Sequence, residues 1–410
     1  MQSYVLFGGR FLDPRQRDLR DGVEVLIEGD RIREVAERPI ASSSAARVDL
    51  RGRTLMPGLI DAHMHLFLAE VNLRFLEDMS LTLLTTKAAL AARQMLMRGF
   101  TSARDAGGSD HGIKTAIESG IVDGPRLFIA GIPISQTGGH GDHRRRTQTA
   151  MECSCCSGLA SMSRIADGVP EMLRTVRDEL RKGADQIKLM VSGGVASQSD
   201  PLESLQFRVD EIEAAVEQAT NWRSYVMAHA YSAPAILRAV ECGVRTIEHG
   251  NLVDEAGARA MAQRGAYMVP TLVAYDALQR RGPDYGLTAY SIEKNKIVLE
   301  AGLRSLELCR AAGVKMGFGT DLLGELQDDQ CLEFRIRSQA MTPQEIIHSA
   351  TVVNAEIVQR AGLLGELVPG AYADLLVVDG DPYRDLGVFD AEGTRLAGIM
   401  KGGRWYKNLM

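Results

Sequence analysis

Eight short apolar runs, spread through about three hundred residues and separated by helical stretches, constrain this chain more than any other feature. They lie at 59–62, 101–104, 126–130, 186–190, 225–228, 245–248, 267–269 and 314–318. Between them, stretches such as 209–219 and 233–242 carry apolar residues at helical spacing. Strand and helix alternating eight times predict an α/β fold of the (β/α)8, TIM-barrel type. A later helix shows the quality of the local signals. Thr342-Pro343-Gln344-Glu345 reads as a capping box with proline in the first turn. Ile346, Ile347, Ala350, Val353, Ile357 and Val358 continue it toward Gly362, which is expected to cap it.

The two ends of the chain read differently. Residues 23–27 and 31–35 flank the turn Glu28-Gly29-Asp30, the pattern of a hairpin. Near the C-terminus, 373–378 and 398–400 read as strands, with the turn Gly402-Gly403 before Trp405. Neither end has enough strands to bury a sheet face alone. The economical solution is a small β-sandwich built from both termini. Residues 1–57 and 365–410 are therefore expected to form that composite domain, and residues 58–364 the barrel.

Several classes of function fit the composition poorly. The formal net charge of -6 and a single short basic run, Arg144-Arg145-Arg146, argue against a nucleic-acid footprint. No stretch has the uninterrupted apolar length of a membrane span, and the N-terminus lacks a signal-peptide core, so a cytoplasmic protein is expected. Six cysteines in 410 residues do not make a disulfide scaffold. Cys153, Cys155 and Cys156 cluster, but no second thiol group completes a structural zinc knot, so they read as loop residues.

The polar residues at the strand ends carry the chemistry. His63 and His65 are two apart on the first strand and so face one way, where neutral imidazoles make good ligands for Zn²⁺. Such a pair, alone, reads more readily as two hydrogen-bonded core histidines, and the rest of the chain decides the matter. Lys188 sits within the apolar run Ile187-Lys188-Leu189-Met190. A lysine there either snorkels to the strand end or loses its charge, and a neutral amine reacts with CO₂ to give a carbamate able to bridge two metals. His229 closes the fifth strand, His249 the sixth, and Asp321 follows the eighth. Jointly, four of the eight histidines, a lysine and an aspartate mark the C-terminal strand ends, where barrel enzymes place their chemistry.

In these residues the chain resembles the amidohydrolase superfamily, along nearly its whole length. The runs PGLIDAHMHL, DQIKLMVSGGVAS, MAHAYS, RTIEHGN, GFGTDLLG and VPGAYADLLVVDGDP are most similar to the prolidase-type dipeptidases related to imidazolonepropionase. The resemblance implies two divalent ions, with zinc expected. His63, His65 and Asp321 would hold one and His229 with His249 the other, with carboxylated Lys188 between them. It implies that Asp321 moves the proton from attacking water to the leaving amine, and hence hydrolysis of a C–N bond. His140 and Tyr231 match positions that bind the substrate's α-carboxylate. His111 and His143 have no such match and are expected at the surface, and 135–164 is expected to cover the pocket. The implied substrate is a small amide: an Xaa-Pro dipeptide or an N-acyl aromatic amino acid, ochratoxin-like amides included. Relatives are commonly oligomeric, so a homo-oligomer is expected. The rivals are a mononuclear deaminase or lactonase of the same superfamily, which lacks the bridging lysine, and a non-catalytic barrel scaffold.

Overall fold

The computed structural model describes residues 3–77, 79–144, 147, 163–197 and 200–410. Seven of the apolar runs are parallel strands: Leu59–Met64, Phe100–Asp105, Arg126–Ile129, Ile187–Met190, Val226–Ser232, Thr246–Leu252 and Tyr267–Val269. Each is buried along nearly its whole length, so no side of the sheet faces water and helices must cover it. The helix Val169–Arg181 is one of these covers. Pro170 and Glu171 start it, Arg181 lies in its last turn, and Met172, Val176 and Leu180 form one buried stripe at four-residue spacing. The stripes of Leu81–Met97, Val209–Asn221 and Ala233–Glu241 join the same core.

Backbone hydrogen bonds close the strands into a ring. The first three pair in sequence, as do the fourth to the seventh. Asp185 N–H donates to Ile129 O at 2.7 Å and joins the third strand to the fourth. The eighth position departs from expectation: it is not a regular strand. Gly317 N–H donates to Met268 O at 2.8 Å and Ala62 N–H to Phe318 O at 2.8 Å, so the segment still bridges the seventh strand and the first. Its glycines explain the irregularity. A Cβ on Gly319 would lie 2.7 Å from both His63 Cβ and Val269 Cγ1, so the backbone itself fills the gap.

The helix after Thr342 also differs. Its capping box forms, but the helix is α over Pro343–His348, π over Ser349–Val353 and α again over Asn354–Ile357. It ends at Val358 rather than near Gly362. The π turn precedes Asn354, whose side-chain amide donates to Ile60 O at 2.6 Å and Phe318 O at 2.8 Å and accepts from Phe318 N–H at 3.0 Å. Periodicity cannot foresee a helix register shifted to serve a strand junction.

Both termini contribute to the remaining sheets. One runs in the order 404–408, 396–401, 375–378, 54–57, 10–11, 20–21, and so interleaves the two ends of the chain. The other holds the hairpin Glu24–Glu28/Arg31–Ala36 with Tyr4–Phe7 and Ala46–Asp49. Ile27, Ile32, Leu55, Leu375, Val377 and Met400 share one core between them. Strand Thr54–Pro57 leads directly into the first barrel strand, which ties this layer to the site. Among the described residues no helix is long and apolar enough to cross a membrane. The cysteine trio and most of 135–164 lie outside the described residues.

Asn354→Leu keeps the volume but orphans the Phe318 N–H and takes one donor each from Ile60 O and Phe318 O at the ring's closing seam. It is expected to lower stability by roughly 2–4 kcal/mol. A urea midpoint equal to that of the parent protein would contradict this account of the seam.

Candidate metal centre

All six ligand candidates meet at the C-terminal end of the ring. His63 ends the first strand and His65 follows it, Lys188 lies in the fourth, His229 in the fifth and His249 in the sixth. Asp321 is brought to them by the backbone: Thr320 and Asp321 both donate their N–H to His63 O, at 3.0 and 2.8 Å. Asp61, buried below, accepts from His63 N–H and from the Thr320 hydroxyl at 2.6 Å, which fixes the same turn from the other side. His249 and Asp321 both have positive φ, 72° and 51°. That conformation is unfavourable for a side chain with a Cβ and persists where the surroundings enforce it.

The imidazoles present lone pairs to a common centre because their other nitrogens are occupied. His65 Nδ1 lies 2.7 Å from Gly107 O, which can only accept, so Nε2 carries the lone pair. Asp105 shapes the turn that aims this carbonyl, accepting from Gly107 N–H at 2.9 Å and the Ser109 hydroxyl at 2.6 Å. His229 Nε2 lies 3.1 Å from Gly193 O, which leaves Nδ1 free. His63 Nδ1 is 2.7 Å from Glu248 Oε2, and its Nε2 is 3.4 Å from Asp321 Oδ1. His249 Nδ1 is 2.9 Å from the Thr271 hydroxyl. Such outer partners fix tautomer and ring orientation in metal sites. A nitrogen each from His63 and His249 and an oxygen of Asp321 lie within 4.8 Å of one another, so Asp321 stands between the two imidazoles.

Most of the protonation states suit a cation; His65 is the exception, since burial would lower its pKa but the Asp321 carboxylate raises it. Burial, reinforced by neighbouring His140, His249 and Lys188, holds the His229 pKa well below its ordinary value. Burial does the same to His249, and Asp321 only partly offsets it. For Asp321, burial alone would favour the neutral acid, but His63, His65 and His249 hold its carboxyl well below the usual range. Its side chain is 21% exposed, whereas those of His63 and His249 are 1% and 3% exposed, so it is the member a bound molecule can reach. Burial lowers the Lys188 ammonium to about 8, against the pull of Glu248 and Asp321. A lysine in that state has neutral amine available near pH 7.

A cleft opens over this floor. His140 stacks on His229 with ring centroids 4.4 Å apart, and Tyr231 meets His229 edge-on at 4.8 Å, so both expected substrate contacts stand at its wall. Leu68, Leu73, Val195, Leu278 and Leu323 make the rest largely apolar, and Asp321 is the one carboxylate among the described lining residues. His143, expected at the surface, is half-buried and lines the cleft, because the turn around Gly141 folds inward. His111 is exposed as expected, at the start of the helix His111–Glu118.

Sequence reading missed the residues behind the floor. Arg104 and Glu248 are fully buried and paired, with Arg104 NH2 2.9 Å from each carboxylate oxygen, and Glu248 passes this contact on to His63. The available signal was opposite charges inside two apolar strands, which burial forces to pair. Tyr275 donated no signal at all. It lies on the helix Leu272–Arg281, accepts from the Tyr231 hydroxyl at 2.9 Å and meets Thr271 at 3.3 Å.

A sequence model of the amidohydrolase family matches residues 54–406. Ochratoxinase of Aspergillus niger is 32% identical over 370 residues, 86% of this chain and 75% of that protein. A solved amidohydrolase structure superposes on 99% of this chain and 99% of its own with a TM-score of 0.97 and 50% identity. A prolidase complexed with N-methylphosphonate-L-proline superposes on 99% of this chain and all of its own, with a TM-score of 0.97 and 47% identity.

The buried pair has a pH signature. Burial would raise the Glu248 pKa, but Arg104, His63 and Lys188 lower it to about 2. Its contribution is therefore complete above the ordinary glutamate value and lost as pH falls toward 2. Arg104→Met is expected to cost roughly 3–5 kcal/mol at pH 7. The deficit should shrink at pH 3. Equal deficits at the two pH values, measured by denaturant unfolding, would contradict the pairing.

Proposed function

The chain belongs to the amidohydrolase family, and on that premise we propose that it is a binuclear metal-dependent hydrolase of dipeptides or N-acyl amino acids. The family and the relatives support a hydrolase acting on amide bonds. The observation that carries the finer reading is the donor set. Four imidazoles with committed outer nitrogens, an ionised carboxylate and a lysine of weakened basicity converge on one cleft floor. In this reading residues 58–364 are the catalytic body, and residues 1–57 with 365–410 form a composite β domain beneath it.

His63, His65 and Asp321 would hold one divalent ion, and His229 with His249 the second. The Lys188 amine would add CO₂ and release a proton, and the carbamate oxygens would serve both ions. These ligands suit zinc, although several divalent ions accept them. Bound there, the ions would polarise the scissile carbonyl and make hydroxide available near neutral pH. The chain's own residues do the rest. Asp321, reachable from the cleft, accepts the proton of the attacking water and delivers it to the departing nitrogen, since an amide anion is a very poor leaving group. His140 and Tyr231 grip the substrate's free carboxylate and thereby place the scissile carbonyl over the floor.

The apolar wall favours an uncharged residue beside that carboxylate, because among the described lining residues only Asp321 offers a negative charge and proton transfer occupies it. The phosphonylated proline held by the prolidase relative carries a tetrahedral centre on the proline nitrogen, where an acyl carbonyl would be attacked. The likeness to ochratoxinase of Aspergillus niger supports keeping ochratoxin-like amides within the proposed range. The presence of Lys188 at this floor disfavours the mononuclear reading, and a complete ligand set disfavours the scaffold.

Asp321→Asn is expected to abolish turnover, by at least about 10³-fold, with the circular dichroism of the parent protein retained. Undiminished hydrolysis would refute the proton transfer. In a screen of the metal-loaded enzyme, Xaa-Pro, Xaa-Phe and N-acyl aromatic amino acids should be cleaved well ahead of Xaa-Arg. A preference for Xaa-Arg would overturn the reading of the wall.

A further inference from the structure

Lys294 is buried in the helix Ala289–Ala312, and among the described residues no carboxylate forms an ion pair with its ammonium. Its Nζ donates instead to three backbone carbonyls that follow the fourth barrel strand: Gly194 at 2.5 Å, Ser197 at 2.6 Å and Asp200 at 3.2 Å. Three donors spent on three carbonyls make the lysine a clamp on that backbone. The clamped residues face the site. Gly193 O accepts from His229 Nε2 and sets which nitrogen that imidazole presents. Gly194 lies under His140 so closely that a Cβ would fall 2.1 Å from the ring's Cε1. The Ser197 hydroxyl donates to Asp200 and accepts from His140 Nδ1 at 2.9 Å. Asp200 also accepts from Gly194 N–H at 3.2 Å and Gln206 Nε2 at 3.1 Å, while Gln206 accepts from His140 N–H at 2.8 Å.

We propose that Lys294 and Asp200 are positioning residues that lock His140 and His229 into one stacked unit and turn the Nε2 edge of His140 toward the substrate's carboxylate. This role rests on the carboxylate-anchor reading of His140. The geometry gives it content, because His140 Nδ1 is occupied by Ser197 and the ring is confined between Gly194 and His229. Among the described residues nothing occupies the Nε2 edge, which is left to meet a ligand. Asp200, with a carboxylate oxygen 3.7 Å from His140 Nδ1, backs the ring on its Nδ1 side. One clamp thus couples how the floor is oriented to how the substrate is held.

The test uses the full-length, metal-loaded enzyme and the best Xaa-Pro or N-acyl amino acid substrate. Asp200→Asn and Lys294→Met should each raise KM by about 10-fold or more, with kcat within about 3-fold and metal content unchanged. Combining either with His140→Ala should raise KM no further than His140→Ala alone, because the same contact is lost. If Lys294→Met does not fold, Asp200→Asn carries the test, being nearly isosteric. A raised KM in His140→Ala beside an unchanged KM in Asp200→Asn overturns this role and leaves the anchor standing. KM losses that add in the double variant also overturn it. An unchanged KM in His140→Ala overturns the anchor, and this role with it.

Discussion

The paired charges of Arg104 and Glu248, sealed inside the barrel, set the terms for everything above them. Neither side chain has access to water, so both must be satisfied inside the barrel; the carboxylate accepts from Arg104, from the Thr246 hydroxyl and from one further donor. That donor is His63 Nδ1, and the contact fixes which nitrogen the first ligand presents to the mouth. The same charges act on Lys188, whose ammonium is weakened by burial, strengthened by Glu248 and, to a lesser extent, weakened again by Arg104. A hydrophobic replacement of equal volume could fill this space, but it would leave His63 free to rotate and Lys188 without its electrostatic setting. The barrel's polar interior is the lower storey of the site.

The fold was legible because its signals are repetitive. Seven of eight strands fall where short apolar runs alternate with helices, and the hairpin around Gly29 falls where a turn splits two β runs. What escaped was local and set by tertiary contacts. The eighth run lacks regular pairing because Gly317 and Gly319 let backbone press against the first strand and the final helix. The π turn before Asn354 exists to bring one amide to that seam. Neither is encoded in a periodicity, since each depends on what lies across the ring.

The site was legible to the same degree and for a related reason. His63, His65, Lys188, His229, His249 and Asp321 are polar residues where strands should be apolar, and the structure gathers all of them. His143 was misplaced because nothing in a glycine-rich loop says which way it folds. Lys294, Ser197 and Asp200 were invisible because they act through backbone carbonyls and through one another. A lysine on a long helix looks like any solvated lysine until its three carbonyl partners are seen.

The central claim is that two ions share one floor and that Lys188 lies between them. The direct test is a crystal structure of the metal-loaded protein with an N-phosphonyl amino acid, using anomalous scattering to locate the ions. The account predicts two ions, one on His63, His65 and Asp321 and one on His229 and His249, with extra density on Lys188 Nζ reaching both. The ligand's carboxylate should lie against His140 and Tyr231. A single ion, with Lys188 unmodified and away from it, would contradict the account.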